Sequence, residues 1–257
     1  VDYDRIAPSY NRRFASGAPG GEAQALAALA GKLQAVRILE VGSGTGHWLA
    51  GLSDLTNQAF GLDLSAGMLA QARRHPGRLY LVRGRAGWLP FPAASFDLVY
   101  CVNAIHHFRQ QRIFVSGARR LLRPGGALAI VGMDPRAHRH RWYVYDYFES
   151  TFDFDLARFP SWGTTVDWLA AADFERIEWQ LVHQIVDHKV GREVLADPFL
   201  EKNATSQLAL LSDQAYAAGL RRIEDALDAA EAAGEILTFP TELQIAMVVG
   251  WMRRRGA

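Results

Sequence analysis

Three glycines alternate at Gly42, Gly44 and Gly46 directly behind an apolar run that ends in Glu40, and a second acid, Asp63, stands one strand and one helix later. Glycines there let a ligand reach the backbone, and two ligand chemistries use such a loop. A dinucleotide fingerprint has the spacing G-x-G-x-x-G, its third glycine allowing the helix to pack closely while its N-terminus faces pyrophosphate. Here that third position is His47, and the spacing is G-x-G-x-G with Ser43 inside it. Glu40 would repel phosphates but suits, by charge complementarity, a ligand carrying an ammonium and a sulfonium. Asp63 can accept from ribose hydroxyls of either nucleotide, so it does not discriminate.

The elements that must hold these residues alternate. "GEAQALAALAGKLQ" has helical composition, "VRILEV" reads as a buried strand, "HWLAGLSDL" as a helix and "QAFGLDL" as a strand. "SAGMLAQARRH" is a helix with Ser65 as N-cap, followed by the strand "RLYLVRG". "SFDLVYCVNAI" and "ALAIVGMD" are strands flanking the helix "RQQRIFVSGARRLLR", which the Pro124-Gly125-Gly126 turn closes. Five apolar strands alternating with helices imply an α/β, doubly wound, Rossmann-like sheet, mostly parallel and seven-stranded, with ligands at the carboxyl ends of its strands. After residue 134 the alternation stops. The aromatic and basic run "HRHRWYVYDYFESTFDFD" and a helical block at 191–235 read as lid or substrate insertions (135–165 and 191–235) on a cofactor-binding core (1–134), with "LQIAMVVGWM" supplying a closing strand within 236–257. "TVDWLAAAD" and "FERIEWQLVHQIV" between them read as a helix and a long strand.

Bulk properties narrow the class. Of 257 residues 49% are hydrophobic and 21% charged, enough to bury a core, so disorder is excluded. A net charge of +1 gives no global attraction to nucleic acid or anionic membrane. Cys101 is the only cysteine, which excludes an intramolecular disulfide and a Cys-based zinc site and fits a reducing compartment. No stretch approaches the roughly 20 apolar residues of a membrane helix, and "VDYDRIAPSYNRRF" lacks the apolar core of a secretion signal. A cytoplasmic protein, monomer or homodimer, is the expectation.

Four blocks in order, "YDRIAPSY", "ILEVGSGTG", "GLDLSAGML" and "LPFPAASFDLVYCVNAIHHF" followed by "LLRPGGALAI", cover about residues 3 to 133. In them the chain resembles the class I S-adenosylmethionine-dependent methyltransferases, in particular the small-molecule, methyltransferase type 11-like branch similar to quinone-biosynthesis C-methyltransferases. The resemblance implies S-adenosyl-L-methionine as cofactor. It further implies that Gly42, Ser43, Gly44 and Gly46 approach the methionine moiety, that Glu40 holds its ammonium, and that Asp63 takes the ribose hydroxyls. Leu64 and Met68 would pack on adenine, Met68 having core packing as its alternative role; Asn103 would border the methyl group and Tyr10 would close the site. Relatives usually carry an Asp after the glycine that ends the third strand, where this chain has Arg85. A cation cannot accept from the adenine amino group, which leaves the backbone at Ala86 or stacking to read the base.

Methyl transfer is an in-line displacement at carbon, so the protein must mainly align the acceptor and exclude water. An acceptor with a proton to lose needs a base. His107 follows the fourth strand on the ligand side and titrates near neutrality; His106, His138 and His140 are alternatives, and a helix cap or a bond to a backbone carbonyl is the other role open to His107. No metal is expected, the histidines lacking carboxylates at ligand spacing. Tyr143 and Tyr147, with Trp142, Tyr145 and Phe148, suggest an aromatic pocket, and Arg136, His138 and Arg141 an anion anchor. A small organic acceptor is expected. Nucleic acid is disfavoured by the absence of an Asn-Pro-Pro-aromatic loop and by the single cysteine. A nicotinamide-dependent oxidoreductase on a Rossmann core and a catalytically silent adenosyl-binding scaffold are the competing readings.

Overall fold

A computed structural model describes residues 2–8, 10–11, 20–137 and 140–254. In chain order the elements are α1 (Tyr3–Ile6), α2 (Gly21–Leu33), β1 (Arg37–Val41), α3 (His47–Ser53), β2 (Gln58–Asp63), α4 (Ala66–Ala72), β3 (Leu79–Arg83), β4 (Phe96–Val102), α5 (Gln111–Leu121), β5 (Leu122–Met133), β6 (Arg141–Trp142), α6 (Tyr143–Tyr147), α7 (Thr151–Arg158), α8 (Trp162–Ala171), β7 (Arg176–Val190), α9 (Ser206–Ala209), α10 (Asp213–Ala233) and β8 (Thr238–Trp251). Short 3₁₀ turns lie at Ile105–His107, Gly191–Ala196 and Pro198–Leu200. Among the described residues no helix is long and apolar enough to cross a membrane.

The chain divides into two compact units. The larger comprises 2–133, 160–183 and 245–257, the smaller 134–159 and 184–244. In the larger, β3, β2, β1, β4 and β5 pair in parallel in that order, β8 adds antiparallel to β5, and β7 pairs with β8. Strand order reverses between β1 and β4, which makes their carboxyl ends the natural ligand edge. The apolar runs are buried on both faces: Leu39, Val41, Phe96, Val99, Leu128 and Ile130 pack with Phe114, Val115 and Leu121 of α5. Ser65 caps α4 as the sequence implies, its Oγ accepting from the Met68 amide at 3.0 Å.

Two sequence expectations are corrected here. Pro124-Gly125-Gly126 does not form a separate turn after a helix; it lies inside β5, where the register jumps from Phe96↔Leu122 to Leu98↔Ala127 and Gly125 sits at φ 80°. The block at 191–235 is not helical throughout, since 3₁₀ turns and the four-residue α9 precede the 21-residue α10. The expected mostly parallel sheet is present, its seven longer strands joined among the described residues by two-residue β6, which pairs with Thr241 and Glu242 of β8 in the smaller unit.

The smaller unit has its own core of Trp142, Tyr143, Val144, Phe148, Ile223, Leu227 and Phe239. Gly219 of α10 admits the Phe148 ring, for a Cβ there would fall 2.2 Å from ring carbon Cδ1. Gly219→Ala gains about 1 kcal/mol of helix propensity but must displace a fully buried ring, a cost of up to about 3 kcal/mol. A net loss of about 1 to 2 kcal/mol is expected, read as a lowered denaturant midpoint.

Candidate functional site

The site forms in the larger unit where β1 and β2 end. Gly42, Gly44 and Gly46 all have φ between 52° and 77°, the left-handed region that side chains disfavour. The loop folds onto its own neighbours. The Gly42 and Ser43 amides donate to Leu62 O at 2.7 and 3.1 Å, the Gly46 amide to Ser43 O at 2.8 Å, and the Gly44 amide to Asp63 Oδ2 at 2.8 Å. Asp63 Oδ1 accepts from the Ser65 amide at 2.9 Å, so this carboxylate joins the first two strand ends. Burial is the main influence on Asp63 and raises its pKa, against the pull of those amides.

Beneath the loop Glu40 is 1% exposed. Burial pushes its carboxyl well above the usual range, opposed by a hydrogen bond from the Tyr100 hydroxyl at 3.4 Å. Among the described residues the buried Ser43 hydroxyl has no hydrogen-bond partner, nor has Glu40 Oε1. A buried acid and hydroxyl with unused hydrogen-bonding capacity under a side-chain-free turn fit a ligand that brings a cation and donors. Pyrophosphate fits poorly, because four of the loop amides that would have to grip it already have acceptors.

The N-terminal segment packs against the same edge. Asp4 Oδ1 accepts from Ser65 Oγ at 2.6 Å and from the Gly67 amide at 2.7 Å, Thr45 Oγ1 donates to Asn11 Oδ1 at 2.5 Å, and Ile6, Ala7, Tyr3 and Tyr10 surround Met68. Met68 is therefore 1% exposed and shares a small core with α1, the alternative the sequence left open. Leu64 is 59% exposed past the end of β2, and Ala86 is half-buried past β3, where the exposed Arg85 bridges to Trp88. Trp88, 81% exposed, is a large apolar surface at this edge that the sequence reading did not single out. Asn103 ends β4 at φ 46°, a conformation asparagine tolerates better than most residues.

His107 lies in the 3₁₀ turn after β4, and its Nε2 is 2.6 Å from the Tyr3 hydroxyl. Tyr3 was invisible to sequence reasoning, 104 residues away along the chain. Cys101 is fully buried in β4 and its thiol is pushed up by burial, which leaves it without nucleophilic character.

Three of the four substrate-side residues, Arg136, Tyr143 and Tyr147, fall in the smaller unit. Arg136 donates to Asp134 Oδ1 at 3.3 Å, to Phe159 O at 3.1 Å and to Leu156 O, so its guanidinium already has internal acceptors. Tyr143 is fully buried and donates to Asp197 Oδ2 at 2.9 Å, a core role rather than a pocket wall. Tyr147 is half-buried against Phe239. His138 lies outside the described residues. The Nε2 of His140 meets the Tyr145 hydroxyl at 3.3 Å, and burial lowers its pKa to about 4.

A family model described as a methyltransferase domain matches residues 39–130. A probable S-adenosylmethionine-dependent methyltransferase of Mycolicibacterium smegmatis is 34% identical over 93 residues, 36% of this chain and 36% of that protein. A demethylmenaquinone methyltransferase of Deinococcus radiodurans is 34% identical over 141 residues, 51% of this chain and 58% of that protein. The chain thus spans well under two thirds of the curated relatives' length. Among solved structures, Haemonchus contortus phosphoethanolamine N-methyltransferase 2 in complex with S-adenosyl-L-methionine superposes with a TM-score of 0.60 at 20% identity, covering 98% of this chain and 57% of that one, a likeness of fold. Residues 39–130 thus match a methyltransferase domain, and over that part the chain is similar to S-adenosylmethionine-dependent methyltransferases.

Proposed function

We propose that this protein binds S-adenosyl-L-methionine at the β1–β2 edge and transfers its methyl group to a small organic acceptor. The reading is supported above all by the buried Glu40 beneath a loop whose amides are already engaged. The loop atoms of Gly42, Ser43, Gly44 and Gly46 cradle the methionine end and Glu40 receives its ammonium. Asp63 takes the ribose hydroxyls with lone pairs not used by the Gly44 and Ser65 amides. Leu64 and Ala86 border the adenine, with Met68 packed in the small core behind them, and Asn103 and Tyr10 border the methyl end. The bound cofactor supplies an activated methyl carbon and a neutral thioether leaving group.

The chain's own residues then align the acceptor and keep water out. His107 takes the proton of an acceptor hydroxyl or amine, and Tyr3 holds the imidazole through its hydroxyl. Tyr3→Phe removes that contact and keeps the ring. It is expected to lower turnover about fivefold, the scale of one neutral hydrogen bond, and to displace the pH profile while leaving cofactor affinity unchanged. An unaltered profile sinks the pairing.

Calorimetric titration with S-adenosylmethionine and with nicotinamide dinucleotides tests the cofactor. Binding of the first alone is expected, and binding of the second alone overturns the assignment. Labelled methyl transfer to small molecules from a cell extract tests turnover, and label recovered only in nucleic acid or nowhere overturns the acceptor class.

A further inference from the structure

Glu40 and Tyr100 are register partners on β1 and β4 and are 1% and 0% exposed. The Tyr100 hydroxyl donates to Glu40 Oε2 at 3.4 Å, a long bond, while Oε1 has no hydrogen-bond partner among the described residues. A buried carboxylate so placed lacks the donors that normally stabilise an anion. The other groups that act on it do not make up the deficit. Asp63 at the end of β2 adds like charge, the Leu49 amide on α3 gives the weakest pull towards ionisation, and among the described residues no cation is a main influence. Cys101, beside Tyr100, is itself driven away from ionisation by burial and by Glu40. The proton-bearing acid is the form this pocket accommodates in the absence of a positive charge. Nothing in the packing calls for a hydroxyl at position 100, since phenylalanine would fill the same space in a fully buried strand.

We propose that Glu40 exchanges its proton for the cationic ligand of the glycine loop, with Tyr100 as the positioning residue that sets how readily the exchange occurs. This rests on the cofactor reading above. The Glu40 O–H bond breaks heterolytically, the electron pair stays on the carboxylate, and the proton passes to the solvent buffer. Burial raises the carboxyl's pKa, the Tyr100 hydroxyl lowers it, and an adjacent ligand cation lowers it further. The proton is released between the ligand-bound and ligand-free values, so affinity rises with pH up to the ligand-free value and is flat above it. Loss of the Tyr100 hydroxyl moves that upper limit to higher pH.

Titrating the whole chain calorimetrically with S-adenosylmethionine in buffers of different ionisation enthalpy counts the protons. Wild-type protein is expected to release a substantial fraction of one proton near neutral pH. Tyr100→Phe is expected to bind about tenfold more weakly there and to recover towards wild-type affinity as pH rises. Glu40→Gln is expected to bind without proton release. A wild-type heat independent of buffer, or a Tyr100→Phe deficit that is the same at every pH, overturns the exchange while leaving the cofactor reading intact. Absence of binding by the wild type overturns both.

Discussion

Gly42→Ala is expected to weaken S-adenosylmethionine binding by about 3 kcal/mol, somewhat more than a hundredfold, and to lower thermal stability. Two independent costs combine. Gly42 has φ 75°, which for an alanine costs about 1 kcal/mol or more. The new Cβ would also lie 2.6 Å from Ala104 Cβ and 3.3 Å from the Phe108 ring, both anchored in the turn that carries His107. Relieving that overlap costs about 2 kcal/mol and moves the loop off Leu62, whose carbonyl accepts from both Gly42 and Ser43. Gly44 is the control. It has φ 52° but nothing within 4 Å of a built Cβ, so Gly44→Ala should lose only the conformational share, about 1 kcal/mol. Calorimetry on both variants separates the effects, and equal losses would remove the steric part of the argument.

What the sequence disclosed and what it withheld divide along one physical line. Properties with a local period or a local partner were readable. β1, β4 and β5 show as apolar runs because the centre of a parallel sheet is buried on both faces, and the Ser65 cap shows because the amide that donates to it is three residues away. The Glu40 and glycine arrangement is likewise contiguous in the chain. Contacts closed by the tertiary fold were not readable. The Tyr3–His107 pair spans 104 residues and the Asp4–Gly67 bond 63, and no periodicity announces either. The partners of the aromatic run after residue 140 were hidden for a related reason. Tyr143 was one of the aromatics suggesting a pocket, and Asp197, 54 residues on, accepts from its hydroxyl within the core. Arg136 similarly finds its acceptors on α7 and just beyond it. A polar side chain's type gives its capacity for hydrogen bonding, but only the fold decides which partner uses it.

Asp63 brings both kinds of information together, and its removal has the second large expected effect. Asp63→Ala leaves the Gly44 and Ser65 amides without their acceptors and withdraws the proposed ribose contact, so cofactor affinity should fall by about 1 to 3 kcal/mol. The loop and ribose contributions are separable by a cycle. Wild-type protein should bind S-adenosylhomocysteine more tightly than its 2′-deoxy analogue, whereas Asp63→Ala should bind the two almost equally, because the group that distinguishes them is gone. Asp63→Asn retains one acceptor oxygen and the side-chain volume, so it should fall between the two in affinity and keep part of the discrimination. If Asp63→Ala binds weakly yet still prefers the ribose-bearing ligand by the wild-type margin, Asp63 only braces the Gly44 amide, and the sugar hydroxyls are recognised by another residue.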